Sequence, residues 1–400
     1  MPRRSLYGTY GAALFSMSLS DLLGLLVPLW ALSLDVTPTQ LGMLVGARSA
    51  VPFALGIHGG ALMGRFGPRR VMLFFAALTG CLAPFYPAAT WFPALLCLQI
   101  VVGFSANMGW MGAQTLIAQV TRGDPTFIGR FSFFGRVGTF VAPVVVGFIW
   151  DTGGPVPAFL CLSLWSGLLF VSVYSTPIPS AVATPPRQAG LTARELLPRF
   201  SDYATSLSLI FIPAIALAIA ISILRHATMG IQASFYIVYL KDVGLLATAI
   251  GTLLATAEIM NGVGSLLAGR VVRTIPAPWV MVGFTALGIT AIAITPLLGG
   301  IFILLMLAQG IRGSFWGVVQ PIIFSIQARA VDDRLQGSVV GLRVTLNHFA
   351  SMLTPVVMGL VVEAFGIRTG FLLTGGVLIL ICGILASILR SSPALRRAGQ

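Results

Sequence analysis

Apolar runs of about 20 residues follow one another along the whole chain, broken by short segments that carry arginine, glycine or proline. They fall near 11–33, 41–63, 71–90, 93–118, 131–150, 157–176, 214–240, 246–269, 278–297, 301–326, 338–362 and 370–389. A bilayer hydrocarbon core about 30 Å thick needs about 20 apolar residues per helix. The pattern therefore predicts an all-α integral membrane protein with twelve transmembrane helices. One long polar segment, 177–206, interrupts the series. It is rich in proline and arginine (Pro177, Pro179, Pro185, Pro186, Pro198; Arg187, Arg194, Arg199) and reads as a linker with a short surface helix around Leu191–Phe200. It separates a six-helix bundle at 1–176 from a second at 207–400. Residues 207–213, ending at Pro213, are an extension ahead of the seventh span.

The two halves repeat each other. Leu62-Met-Gly64-Arg65 after span 2 is matched by Leu267-Ala-Gly269-Arg270 after span 8. Span 4 carries Trp110 and Gln114, and span 10 carries Trp316 and Gln320, each pair one turn apart. Ala142-Pro143-Val-Val-Val-Gly147 in span 5 returns as Thr354-Pro355-Val-Val-Met-Gly359 in span 11. Two pseudo-symmetric six-helix halves place a substrate path at the repeat interface.

With 57% hydrophobic and 9% charged residues, little remains for a soluble domain. The net charge of +13 raises nucleic acid as a partner, but its distribution argues against one. Of the 24 Lys and Arg, only Lys241 and Arg368 lie on one side of the predicted spans. Five arginines lie within spans, and all the others share the opposite side. Basic residues stay cytoplasmic, so both termini and the 177–206 linker face the cytoplasm. Cys81, Cys97, Cys161 and Cys382 all sit in spans without paired spacing, which indicates packing rather than disulfides or a metal site. The N-terminal run is too long for a signal peptide core and contains Asp21.

Ionisable groups inside spans are costly unless they face protein or water. Span 1 holds Asp21, span 2 Arg48 and span 5 Arg136. Span 7 holds Arg225 and His226, span 8 Glu258, span 10 Arg312, and span 11 Arg343, Asn347 and His348. At about 1.5 Å per residue, Asp21, Arg225, His226, Glu258, Arg312 and His348 fall at mid-depth. Arg136 and Arg343 lie nearer the cytoplasmic surface. Internal ion pairing accounts for part of this set: Asp21 with Arg48, and Glu258 with Arg225 or Arg312. Two acids cannot neutralise five arginines, so the interior is biased positive. Guanidinium groups bind carboxylates, phosphates and sulfonates in a fork geometry.

Gly60-Ala-Leu62-Met-Gly64-Arg65-Phe-Gly67-Pro68-Arg69-Arg70, between spans 2 and 3, resembles the loop motif of the major facilitator superfamily, Gly-x-Leu-x-Asp-Arg-x-Gly-Arg-Arg/Lys. The resemblance extends over the whole length through the twelve spans and the internal repeat. Gly60, Leu62, Arg65, Gly67 and Arg70 match. Gly64 stands where the family has Asp, and Pro68 where it has Arg. The fourth-span arginine of many proton-coupled members is Gln99 here, and the fifth-span Gly-Pro pattern of drug antiporters is partial (Gly138, Ala142-Pro143, Gly147). The resemblance implies two six-helix bundles working by alternating access, with spans 7 and 10 facing a central cavity.

On that basis Arg225 and Arg312 are candidate substrate ligands, with Trp110, Gln114, Asn107, Trp316 and Gln320 lining the cavity. Asp21, Glu258 and His226 are candidate proton carriers. Arg65, Arg69, Arg70 and Arg270 are candidate gating residues, against the alternative of plain topogenic charge. The expected partners are a small organic solute, anionic or amphiphilic, the lipid bilayer and protons, in a bacterial-type inner membrane, with the protein as a monomer and no cofactor or metal. Anion exchange or uniport without protons, and drug-type proton antiport, are the alternatives. A membrane enzyme would need a convergent catalytic set, and the chain has no His-Glu-x-x-His, Gly-x-Ser-x-Gly or phosphate-binding Gly-rich Lys loop.

The topology is tested with Gln188→Cys and Gly299→Cys. Only the second should react with an impermeant thiol reagent added outside, and equal labelling would overturn the twelve-span reading.

Overall fold

The computed structural model describes residues 3–55, 63, 66–121, 125–176, 207–331 and 333–392. The expectations for the linker helix at Leu191–Phe200 and for Gly60, Leu62, Gly64 and Arg65 fall outside these residues. Twelve helical elements follow in order: α1 (Arg3–Leu32), α2 (Pro38–Ala47), α3 (Pro68–Leu82), α4 (Phe92–Thr121), α5 (Pro125–Gly153), α6 (Pro155–Tyr174), α7 (Pro213–Asp242), α8 (Ala247–Thr274), α9 (Ala277–Ala293), α10 (Phe302–Arg329), α11 (Asp333–Phe365) and α12 (Ile367–Ser391). Among the described residues, nine of them are long and apolar enough to cross a membrane.

Local chemistry sets their ends. Pro38, Pro68, Pro125, Pro155 and Pro213 open helices at the position where a missing N–H costs nothing. Gly67, Gly154 and Gly366 precede helices at φ near +80°, where a side chain would be strained. The third predicted span is shorter than its apolar run. Its helix stops at Leu82 and tightens into a 3₁₀ turn, Ala83–Phe85, because Pro84 and Pro87 cannot donate to the ladder. The segment before Pro213 is a 3₁₀ turn, Leu209–Phe211. Gly299 has φ +62°, so Gly300→Cys labels the same turn without backbone strain.

Packing divides the chain into two compact units. One comprises Met1–Val36, Ala47–Pro198 and Leu246–Ala255. The other comprises Thr37–Gly46, Arg199–Leu245 and Thr256–Gln400. In the first, α1 packs on α4, α5 and α6, and α3 on α4 and α6. In the second, α7 packs on α11, and α9 on α10 and α12. The core of the first unit gathers Tyr10, Met72, Leu116, Phe131 and Leu169.

Span 2 is interrupted. The helix leaves at Arg48–Ser49 and resumes over 50–55. The cause is Pro52, which has no N–H for the Arg48 carbonyl and whose ring crowds it; the next N–H, of Phe53, bonds the Ser49 carbonyl at 2.9 Å. Arg48 is keyed into a glycine-lined slot. A Cβ on Gly103 of α4 would stand 2.5 Å from the Arg48 Cβ, and one on Gly24 of α1 would stand 3.3 Å from its Nη1. Asp21 lies one turn before Gly24 and attracts the guanidinium.

Gly103→Ala should therefore push span 2 off α4 and lower stability by about 1–3 kcal/mol, read as a lower Tm in detergent. Gly167→Ala on α6, where an added Cβ meets nothing within 4 Å, should leave the Tm unchanged or slightly raised.

Candidate functional site

The densest set of intramembrane polar groups lies in the second unit. Close backbone contact between α8 and α10 assembles it. Gly264 faces the Ser314 carbonyl, Gly313 the Ala257 carbonyl and Gly317 the Asn261 carbonyl, and none of the three glycines has room for a side chain. This register carries Glu258 into electrostatic reach of Arg312. Asn261, one turn on, donates from Nδ2 to the Glu258 carboxylate at 3.4 Å.

Arg312 is 2% exposed. Its Nε donates to Gln309 Oε1 at 2.8 Å, and its guanidinium lies 4.3 Å from the centroid of Trp316. Arg225 of α7 also lies over Trp316, at 5.8 Å. A desolvated cation–π contact contributes about 2 kcal/mol, so the indole holds both cations near one point. The indole is itself held by a gap in α9: a Cβ on Gly288 would come within 2.5 Å of Trp316 Nε1. Within α7 a π-turn, Gln232–Tyr236, adds a residue to the helical turn and presents buried Tyr236 toward Arg312. Such π-turns occur frequently at functional sites.

His226 follows Arg225. Its Nδ1 lies 2.9 Å from the Ser222 carbonyl; a carbonyl only accepts, so Nδ1 carries the proton and Nε2 is the open nitrogen. Arg225, His348 and Arg343 all act on this ring. Arg343 stacks on Phe324 at 4.7 Å, and Ser222 donates to Asn347 at 2.8 Å, tying α7 to α11.

The first unit's polar groups are arranged differently. Asp21 acts electrostatically on Arg48. Trp110 of α4 is half-buried and stacks on Phe131 of α5 at 5.9 Å. Asn107 is half-buried and Gln114 is exposed. Trp110 and Trp316 thus match in sequence but not in surroundings: one stacks on a phenylalanine, the other on two arginines. Gln320 is half-buried on the same helix as Trp316.

Of the candidate gating residues, Arg69 donates from Nε to the Val173 carbonyl at 3.3 Å and from Nη2 to the Tyr174 carbonyl at 2.5 Å. It also lies over the Tyr174 ring at 5.6 Å. It caps the C-terminal carbonyls of α6 within its own unit, as a cation at a helix C-terminus does. Arg70 and Arg270 are exposed, and Arg65 is outside the described residues. Gln99, in the place of the familiar fourth-span arginine, is buried and accepts from the Tyr86 hydroxyl at 2.7 Å.

The sequence reading passed over Gln309, Asn261, Tyr236 and Gly288. Gln309 and Asn261 each sit three residues from a charged residue on the same helix, Arg312 and Glu258, and that spacing was the available signal. Nothing in the sequence marked Tyr236 or Gly288.

Gly288→Ala should displace the Trp316 indole and loosen both arginines. A Tm loss equivalent to about 1–3 kcal/mol and a changed tryptophan emission are expected. Unaltered emission would mean the indole does not depend on that gap.

The family model described as Major Facilitator Superfamily matches residues 9–231 and again 218–399. No curated protein matches the sequence. Among solved structures, the nucleoside transporter NupG aligns over 97% of this chain and 99% of its own, with a TM-score of 0.70 and 16% identity. A bacterial homolog to the human lysosomal transporter Spinster aligns over 100% and 97%, with a TM-score of 0.68 and 17% identity. A D-xylose–proton symporter aligns over 95% and 96%, with a TM-score of 0.69 and 16% identity. At these identities the likeness is one of fold.

Proposed function

The chain belongs to the Major Facilitator Superfamily, a family of multi-pass membrane transporters, and from that premise we propose that it moves a small organic solute bearing an anionic group by proton-coupled alternating access. Arg225 and Arg312, gathered on one indole, carry the reading. Among the described residues, Glu258 is the carboxylate that acts on Arg312, and a second guanidinium, that of Arg225, lies over the same indole. A carboxylate, phosphate or sulfonate on the solute supplies the missing negative charge through the guanidinium fork. Trp316, Gln320, Trp110, Asn107 and Gln114 supply apolar and amide surface for the rest of the solute.

Proton coupling is assigned to Glu258 and Asp21. Each lies within a span and acts on an arginine, so protonating either acid frees a cation for the solute. His226 is an auxiliary proton site through Nε2. The D-xylose–proton symporter shows that the fold accommodates such coupling. The ring of cations around His226 favours a second reading, anion exchange or uniport in which no proton moves. In this reading the protein works as a monomer in a bacterial inner membrane, with both termini cytoplasmic.

Proteoliposome uptake of organic carboxylates, with and without a pH gradient, tests both readings. Uptake accelerated by an inward proton gradient is expected, and gradient-independent exchange would favour the second reading. Arg225→Gln should weaken apparent affinity about tenfold or more, since a buried charge loses its charge-assisted bonds. Arg225→Lys should restore only part of it. Arg312→Gln should behave like Arg225→Gln if Arg312 holds solute. If Arg312 only neutralises Glu258, adding Glu258→Gln should recover most of the lost function. That recovery, together with uptake of neutral or cationic compounds, would sink the anion site in favour of drug-type antiport.

A further inference from the structure

Two helix ends carry one device twice. In the first unit, Asp151 at the end of α5 accepts from the backbone N–H groups of Ala247 and Thr248 at 2.9 and 2.7 Å, and from the Thr248 hydroxyl at 2.6 Å. It thereby caps the first turn of α8. In the second unit, Glu363 at the end of α11 accepts from the Thr39 N–H at 3.1 Å, in the first turn of α2. That turn is also closed on itself, by Thr37 N–H to Gln40 Oε1 at 3.0 Å and Gln40 N–H to Thr37 Oγ1 at 3.2 Å.

The surroundings match position by position. Asp151 stands four residues after Gly147 and eight after Pro143; Glu363 stands four after Gly359 and eight after Pro355. A Cβ on Gly147 would meet the Ala247 carbonyl at 2.5 Å, and one on Gly359 the Pro38 carbonyl at 2.6 Å. On the other side, Gly251 faces the Pro143 carbonyl and Gly42 faces the Pro355 carbonyl; each lies four residues into its own helix. In each contact, glycines facing carbonyls bring two helices together, and a carboxylate closes the end.

The capped segments are the two that the packing assigns across the sequence halves. Leu246–Ala255 is grouped with the first unit and Thr37–Gly46 with the second. We propose that Pro143–Gly147–Asp151 and Pro355–Gly359–Glu363 form a paired latch that holds the non-cytoplasmic ends of spans 5 and 8, and of spans 11 and 2, together, and that releasing both carboxylates opens that side. The proposal rests on the alternating-access reading and on cytoplasmic termini, which put these four ends on the outer side. A carboxylate at a helix N-terminus gains from both the unpaired N–H groups and the helix dipole. The gain vanishes when the ends separate, so the cap biases one of two conformations. Pro52 makes span 2 the pliable partner, since its helix is already interrupted at Arg48–Ser49.

The test is the rate at which an impermeant maleimide added outside labels Ala255→Cys or Ala47→Cys, both buried. Cys81, Cys97, Cys161 and Cys382 are replaced beforehand. Labelling of a buried thiol reports the fraction of open molecules even when that fraction is small. Asp151→Ala should raise the Ala255→Cys rate and Glu363→Ala the Ala47→Cys rate, each about two- to thirty-fold, the usual range for loss of a cap. The double variant should raise both by about the product of the two. Asp35→Asn, which removes a carboxylate on the same side while keeping a residue that tolerates φ +51°, should change neither. Ser265→Cys, further along α8, should not gain reactivity. Unchanged rates in the double variant, at wild-type helicity and elution, would overturn the latch, as would a parallel rise at Ser265→Cys, which signals general loosening. The assay uses no solute. Opening without any carboxylate flux would therefore remove the anion reading and keep the latch, whereas flux with unchanged labelling would do the reverse.

Discussion

Hydrocarbon offers no hydrogen-bond partner, and a polar group left unsatisfied there costs several kcal/mol. Helices answer this for the backbone. The side chains answer it by the same local rule, repeated down the spans. Ser16 bonds the Ala12 carbonyl, Ser105 that of Val101, Thr228 that of Leu224, Ser234 that of Gly230 and Ser314 that of Gly310, all one turn back. Each hydroxyl is silenced within its own helix, so it places no demand on a neighbour. Charged groups do this only in part. Arg312 and Glu258 each bond a residue of their own helix, Gln309 and Asn261, but their charges are met across helices, and these demands favour the close approach of particular helices.

Close approach is then supplied by glycine. Where Gly313 and Gly317 of α10 meet Ala257 and Asn261 of α8, the backbones touch, and the touching places Glu258 beside Arg312. Where Gly103 of α4 meets Arg48, the slot accepts the arginine stem and Asp21 meets its charge. The glycines that bring α5 to α8 and α11 to α2 serve instead to present a carboxylate to a helix end. Small residues thus do two jobs: they seat charges inside the units, and they form smooth contacts at the ends of helices.

The number, order and class of the elements were legible in the sequence because run length alone specifies a span. The repeat was legible too, since Pro-Val-Val appears twice at the same place in each half. Boundaries were less so: the third run continues apolar past Leu82, and only the donor-less prolines end the helix there. The break in span 2 had a visible cause in Pro52, but a lone proline in an apolar run does not distinguish a kink from an interruption. The candidate site was legible as a list of buried charges and not as a geometry. That Arg225 and Arg312 share one indole depends on how α7 and α10 rotate about their axes, and that rotation is set by Gly288, by the π-turn at Gln232–Tyr236 and by glycine contacts with α8. Trp110 and Trp316 differ for the same reason: sequence position repeats, while the neighbours across the bundle do not.

The internal repeat also fails in sign. The first half carries an acid on span 1, Asp21, and a cation on span 2, Arg48. The second carries a cation on α7, Arg225, and an acid on α8, Glu258. Had the halves stopped there, each would be balanced. Arg312 on α10 has no charged counterpart on α4, whose matching turn holds Ala106 and Asn107. The added guanidinium is buried, stacked and bonded to Gln309, and with Arg343 it gives the second half three span arginines to one span acid, against Arg48 and Arg136 to Asp21 in the first. On the proposed reading, a solute's negative charge balances this excess.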